Sequence, residues 1–528
     1  MVILGYPYVL RMFYPNYGKA RQETTASSPS AGLNGTATGP SSQPAAHAAV
    51  VPLDTEDLAP LAIGLYDLEV SKTFGSVVRV RFRDHVDPVT GEPLTFLSAH
   101  TPAGGIGALR TEVNSKEEDR LTYQTRVEGG IVSSEAETPD YRISKTIDFS
   151  KSQYANKISI SYTNSTSAVQ RVKLGVVAGS GVLAKNAIDR QYFEVNWIGP
   201  TQVVHHKLLG EGKIKVAEGP YVAASIKDRH FSSIVKPNDP NYVPAAYGLK
   251  GDTISTLWSP LYDVAPGQTR TEEYLLYLGP NNADELHAVG LEHVVNFGKL
   301  DTICKALLGV LQVAHRVTRN YGVSIILLTI GLNLLLFPLT RASTMSMKRM
   351  QLVQPQVTKI REKYSKDAAR MNKEMMDLYK KHKVNPMGGC LPMVLQMPIF
   401  ISLYVAISKS PELLGAKFLW VKDLAYPDSL PLPVTLPLIG NTIHVLPLIM
   451  IVAMVAQQKI SQANMASADP NVAEQQKIMA MIMPVFFGFI FYPMPSGLVI
   501  YWLTNTLTMI VVQRLLGLGK KLELTEAV

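Results

Sequence analysis

Two cysteines in 528 residues are too few for a disulfide framework or a thiolate metal site. Charge is also scarce: Asp, Glu, Lys and Arg make up 18% of the chain, with a net charge of +8. No motif for binding RNA or DNA is present. Gly104-Gly105-Ile106-Gly107 reads as a loop, because it opens no helix and lacks the context of a phosphate site. The histidines, including His205-His206, show no catalytic spacing, and no paired carboxylates or nucleophile motif marks an active site. These absences point away from an enzyme, and no cofactor or metal is expected.

What the chain does have is long apolar runs in its C-terminal half. VSIILLTIGLNLLLFPLT (Val323–Thr340) carries no charge, and at ~1.5 Å per residue it makes roughly 27 Å of helix, enough to cross a hydrocarbon core. LPMVLQMPIFISLYVAIS (Leu391–Ser408) is a second such run. Asn333 lies midway along the first and Gln396 near the start of the second. A polar amide in hydrocarbon is costly without a partner, so each should face a protein interior or a wet cavity. An interhelical hydrogen bond would serve equally well for either alone.

Between these runs lies a basic segment, Arg341 to Lys383, with only Glu362, Asp367, Glu374 and Asp377 opposing the cations. Val353, Val357, Ile360 and Tyr364 recur at helical spacing, as do Met371, Met375 and Leu378, so two helices are expected. Asp367 should cap the second. A short basic loop beside a span marks the cytoplasmic side and suits anionic lipid headgroups.

KVNPMGGCLPMVLQMPIFISLY (Lys383–Tyr404), FPLT (Phe337–Thr340), QQKIMAMIMPVFF (Gln475–Phe487) and PSGLVIYWLTN (Pro495–Asn505) resemble the YidC family of membrane protein insertases over roughly Phe297 to Leu516. The preceding region resembles the periplasmic domain of Gram-negative members. The resemblance implies an insertase without enzymatic chemistry. It moves nascent hydrophobic segments into the bacterial inner membrane through a polar groove open to cytoplasm and lipid.

In chain order, residues 1–21 are expected to be a residual or truncated N-terminal anchor. Residues 22–52, rich in Ser, Ala, Thr, Gly and Pro, read as a flexible linker. Residues 53–297 alternate as strands do, for example at Ser76–Val86, Tyr141–Phe149, Asn156–Asn164 and Arg270–Gly279, and predict one antiparallel β-sandwich domain. Residues 298–320 place Leu300, Ile303, Leu307, Leu311 and Ala314 on one face of an amphipathic helix, suited to the membrane interface or to packing on the β-domain. The core is expected over 321–518, with five spans and a cytoplasmic hairpin at 341–390, and 519–528 form a cytoplasmic tail. That topology puts the N-terminal domain in the periplasm, the C-terminus inside, and Cys304 and Cys390 on opposite sides.

The last span is unusually polar, with Tyr501, Trp502, Thr504, Asn505, Thr506 and Thr508. By the resemblance, Thr329, Gln396, Tyr501 and Trp502 fall on positions used for the groove or substrate contact. Asn333 stands where the family usually places an arginine, and Asn505 joins the candidate groove. The hairpin residues Lys348, Arg349, Lys359, Arg361, Lys363, Lys380 and Lys381 would receive nascent membrane proteins and the ribosome, with a role beside the Sec translocon left open. A secondary transporter or small-solute channel is the competing reading. The lack of an internal repeat and of membrane-embedded carboxylates weighs against it.

Overall fold

The computed structural model describes residues 57–87, 91–98, 111–113, 122–151, 153–182, 187–200, 202–239, 241–249, 252–382, 391–436, 440–463 and 482–518. All lie within the compact unit Ala45–Val528. The expected anchor, linker, Gly104–Gly107 loop, Cys390 and tail lie outside the described residues.

The N-terminal half is built from antiparallel strands. The expected strands are found at Val77–Val86, Tyr141–Asp148, Ala155–Asn164 and Thr269–Pro280. Alternation accounts for them: Tyr141, Ile143 and Ile147 point inward while Arg142 and Thr146 are exposed. A nine-stranded, a five-stranded and a four-stranded sheet share one core. Ile160 and Tyr274 come from the first, Val176 and Leu257 from the second, Val80 and Phe96 from the third. Non-polar side chains from sheet faces far apart in sequence thus leave water together.

Helices follow. Helix α1 (Asp301–Thr318) stops at Arg319, which is left-handed at φ 55°. Helix α2 (Tyr321–Leu335) then starts on Asn320, whose side chain accepts from Val323 N–H at 3.1 Å. Next come α3 (Phe337–Lys363), α4 (Ala368–Lys381), α5 (Leu391–Lys409), α6 (Val445–Ala463), α7 (Ile482–Phe491) and α8 (Ser496–Leu518). Among the described residues one helix, Ser496–Leu515, is long and apolar enough to cross a membrane, or up to two if each bent pair is one span. Val394–Lys409, Val445–Ile460 and Ile482–Phe491 are shorter apolar helices.

Two expectations change in detail. The apolar run Val323–Thr340 is not one straight helix: it bends by 59° between Tyr321–Leu335 and Phe337–Ser346. Pro338, in the first turn of α3, has no N–H to give the helix before it and sterically blocks continuation. FPLT therefore opens the hairpin. On α1 the buried stripe is Cys304, Leu307 and Leu311, while Ile303 is 38% exposed. A second apolar stripe, Val310, Val313 and Val317, faces outward.

The β-domain and the helices are joined through a buried seam. Ile198, Ala223, Ile234 and Tyr277 of the sheet cluster with Val294, Phe297, Cys304 of α1 and Ala406 of α5. Beside them the buried Arg229 reaches out of the β-domain. It donates to the Ser408 and Ala425 carbonyls, the latter at 2.9 Å, and pairs with Asp189 at 3.4 Å. Its guanidinium lies over the rings of Tyr426 and Tyr192 at 4.9 and 5.4 Å. Lys409, at the end of α5, donates to the Asn296 carbonyl at 3.2 Å.

Candidate functional site

The candidate residues sit on α2, α5 and α8, and α8 packs against both of the others and against α6. α8 can approach closely because Gly497, in its first turn, leaves room: a Cβ there would lie 3.1 Å from Ile325 of α2 and from the Leu424 carbonyl, and 3.3 Å from Ile407 of α5.

Gln396 and Tyr501 are brought into direct contact, the Gln396 amide donating to the Tyr501 hydroxyl. Tyr501 itself is fully buried. Asn333 is half-buried, and its Nδ2 is buried with no hydrogen-bond partner. Such a donor is expensive to leave unmade, so the position suits a polar visitor or water. Asn505, one turn beyond Tyr501 on α8, is also half-buried.

Two candidates are placed differently from the rest. Thr329 is fully buried, and its hydroxyl donates to the Ile325 carbonyl of its own helix at 2.6 Å. Trp502 is held in an aromatic cluster: Phe400 at 5.2 Å, Phe487 at 5.5 Å and Phe491 at 5.1 Å. Both make contacts inside the fold, and the ring partners of Trp502 were not legible in the pattern of its own helix. The phenylalanines from α7 were the missed partners. Ser402 on α5 was also missed; its buried hydroxyl has no partner, while its carbonyl accepts from the Cys304 thiol at 3.3 Å. A small polar residue inside an apolar run was the available signal.

The hairpin is two helices, α3 and α4, with Asp367 capping α4 by accepting from Arg370 N–H at 3.0 Å. Arg349, Lys359, Arg361, Lys363, Lys380 and Lys381 are exposed; the Lys348 side chain lies outside the described residues. Val353 and Val357 are buried, as their spacing predicts. Among the described residues no group of three or more His, Cys, Asp or Glu could hold a metal ion.

Comparison with known proteins gives this geometry its context. Residues 313–521 match the family model described as 60Kd inner membrane protein, and residues 65–310 match that of the YidC periplasmic domain. The membrane protein insertase YidC of Geobacter sulfurreducens is 35% identical over 473 residues, covering 85% of this chain and 84% of its own. That of Geobacter metallireducens is 33% identical, covering 94% and 91%. A crystal structure of an active YidC insertase with its first transmembrane domain resolved covers 99% of this chain and 100% of its own, at 19% identity and a TM-score of 0.41. The two family models and the sequence identities over most of both chains show that this chain belongs to the YidC family of membrane protein insertases.

Proposed function

We propose that a nascent apolar segment enters the membrane along the faces of α2, α5 and α8 that carry Asn333, Gln396 and Asn505. The observation that carries this is the unpartnered, buried Asn333 Nδ2 in the same helical group as the Gln396–Tyr501 pair. A polar flank crossing pure hydrocarbon loses its hydrogen bonds, at several kcal/mol for each polar group left unmade. A face that offers amide donors and acceptors, and holds water, lowers that cost. The apolar segment leaves sideways into lipid, and its burial drives the process without a nucleotide.

The topology that serves this mechanism has α3 and α4 in the cytoplasm, the β-domain in the periplasm, five spans and a cytoplasmic C-terminus. The exposed cations of the hairpin then meet ribosome, nascent chain and anionic lipid headgroups at the entrance. A working position beside the Sec translocon is compatible with the same arrangement. Asn333 supplies no fixed charge, so polarity at this position is what matters.

The test is complementation of insertase-depleted cells with abundance measured alongside. Asn333→Leu should impair insertion at normal abundance, and Asn333→Arg should be tolerated and should favour substrates with acidic leading segments. Full activity of Asn333→Leu at normal abundance would remove this residue from the mechanism.

A further inference from the structure

Between α5 and α6 the chain presents a turn that internal packing does not explain. Phe418 N–H donates to the Val421 carbonyl at 2.9 Å, and Val421 N–H returns a bond to Phe418 at 2.8 Å. The two residues inside this hairpin turn are Leu419 and Trp420. Leu419 has a φ of 52°. Two-residue hairpins put glycine or asparagine at such positions, because a Cβ is crowded there. Leu419 nevertheless carries a branched apolar side chain that is 76% exposed. Neither backbone nor water favours leucine at this place, so its side chain must serve an apolar environment outside the fold.

Trp420 is 37% exposed, and its indole N–H points at Asp428 Oδ2 at 3.4 Å. The polar edge of the ring is directed at the protein and part of its apolar face is left open, the arrangement of an interfacial tryptophan.

The turn is held at a defined level. The Phe418 ring packs so closely on Gly322 that a Cβ there would lie 2.2 Å from it. Asn320 Nδ2 donates to the Lys417 carbonyl at 3.2 Å. Both contacts are made at the start of α2, where the apolar run begins, and one turn after Val317, the most exposed apolar residue of α1. Lys417 and Lys422 flank the tip and are exposed. The nearby acids are engaged elsewhere. Asp428 Oδ2 accepts from Val445 and Leu446 N–H at 2.8 and 2.9 Å, and Glu412 accepts from Asn282 at 2.8 Å.

We propose that the Leu419-Trp420 tip is a membrane anchor, seated in the headgroup region of a leaflet containing anionic phospholipid, with Lys417 and Lys422 meeting its phosphates. The topology proposed above decides only which leaflet this is, namely the outer one. The anchor would fix the height of α2 and of the α1–α2 corner against the bilayer.

The experiment uses the full chain, with both native cysteines replaced by alanine, in vesicles of phosphatidylethanolamine and phosphatidylglycerol. A nitroxide is attached at Leu419→Cys, and its collisions with lipid-soluble oxygen and with a water-soluble nickel chelate are compared. The exposed Lys213→Cys serves as the aqueous reference. Oxygen should dominate at 419 and the chelate at 213, and replacing phosphatidylglycerol by phosphatidylcholine should raise chelate access at 419. Equal chelate access at both positions would overturn the anchor. So would strong dipolar coupling between labels on two chains, which would make a second copy the occupant. Leu419→Gly supplies the fold control: its melting midpoint in detergent should not fall, since glycine suits the turn. A lowered midpoint would mean that Leu419 serves internal packing instead. Vesicle accessibility does not depend on which leaflet is outside, so these results are separate from any test of orientation.

Discussion

At the residue scale the polar groups of the helical core differ in how they are satisfied, and Asn333 Nδ2 and the Ser402 hydroxyl have no partner at all. Thr329 satisfies its hydroxyl within its own helix, whereas Gln396 and Tyr501 satisfy each other across helices. The consequences of substitution should differ accordingly. Thr329→Val removes a hydroxyl that needs nothing else, and insertion activity and abundance should stay near normal. Gln396→Leu leaves the buried Tyr501 hydroxyl without its partner, a loss of roughly 0.6–2 kcal/mol for such a bond between membrane helices. Abundance should fall modestly and insertion per molecule should fall further. Equal behaviour of the two variants in complementation would show that the distinction has no functional meaning. The sequence exposed Asn333 and Gln396 because an amide in an apolar run is conspicuous. It did not expose the pairing of Gln396 with Tyr501, because the two are 105 positions apart. Nor did it show the aromatic cluster around Trp502, because its ring partners come from α7 and α5.

At the scale of elements, local pattern carried far. Period-two alternation located strands such as Tyr141–Asp148, and Asp367 located the start of α4. The bend at Leu336 was harder to see, since Pro338 sits inside a run whose hydropathy does not change across the break. Strand order in the nine-stranded sheet depends on long-range pairing, as between Phe231–Pro237 and Thr269–Pro280, which no local pattern encodes. The seam between β-domain and helices was also invisible, because Arg229 is one cation among many in the sequence. Its contacts make a clear prediction. Arg229→Ala leaves Asp189 without this cation and the Ser408 and Ala425 carbonyls without its N–H groups. Removing one partner of a buried, hydrogen-bonded pair costs about 3–5 kcal/mol. The melting midpoint in detergent should drop clearly, and protease should cut the β-domain from the core more readily. An unchanged midpoint would show that the seam is held by its apolar residues alone.

At the scale of the molecule, the account requires one orientation. In the proposed topology the exposed cations on α3 and α4 lie on the cytoplasmic side, and the β-domain on the other. An impermeant thiol reagent added to intact cells should label Lys213→Cys of the β-domain and leave Ser365→Cys of the hairpin untouched; both positions are exposed in the fold. Labelling of Ser365→Cys would reverse the topology and with it the direction of entry.

The central claim is that the nascent segment passes the Asn333 face and not the lipid-facing surfaces of other helices. Site-specific photocrosslinking tests this most directly. A photoreactive amino acid is placed at Asn333 or at Val452, which is 70% exposed on α6, and the full-length protein is challenged with a ribosome-stalled membrane protein. The account predicts a strong crosslink to the nascent apolar segment from Asn333 and little from Val452. A crosslink as strong from Val452 as from Asn333, or none from Asn333, would contradict it.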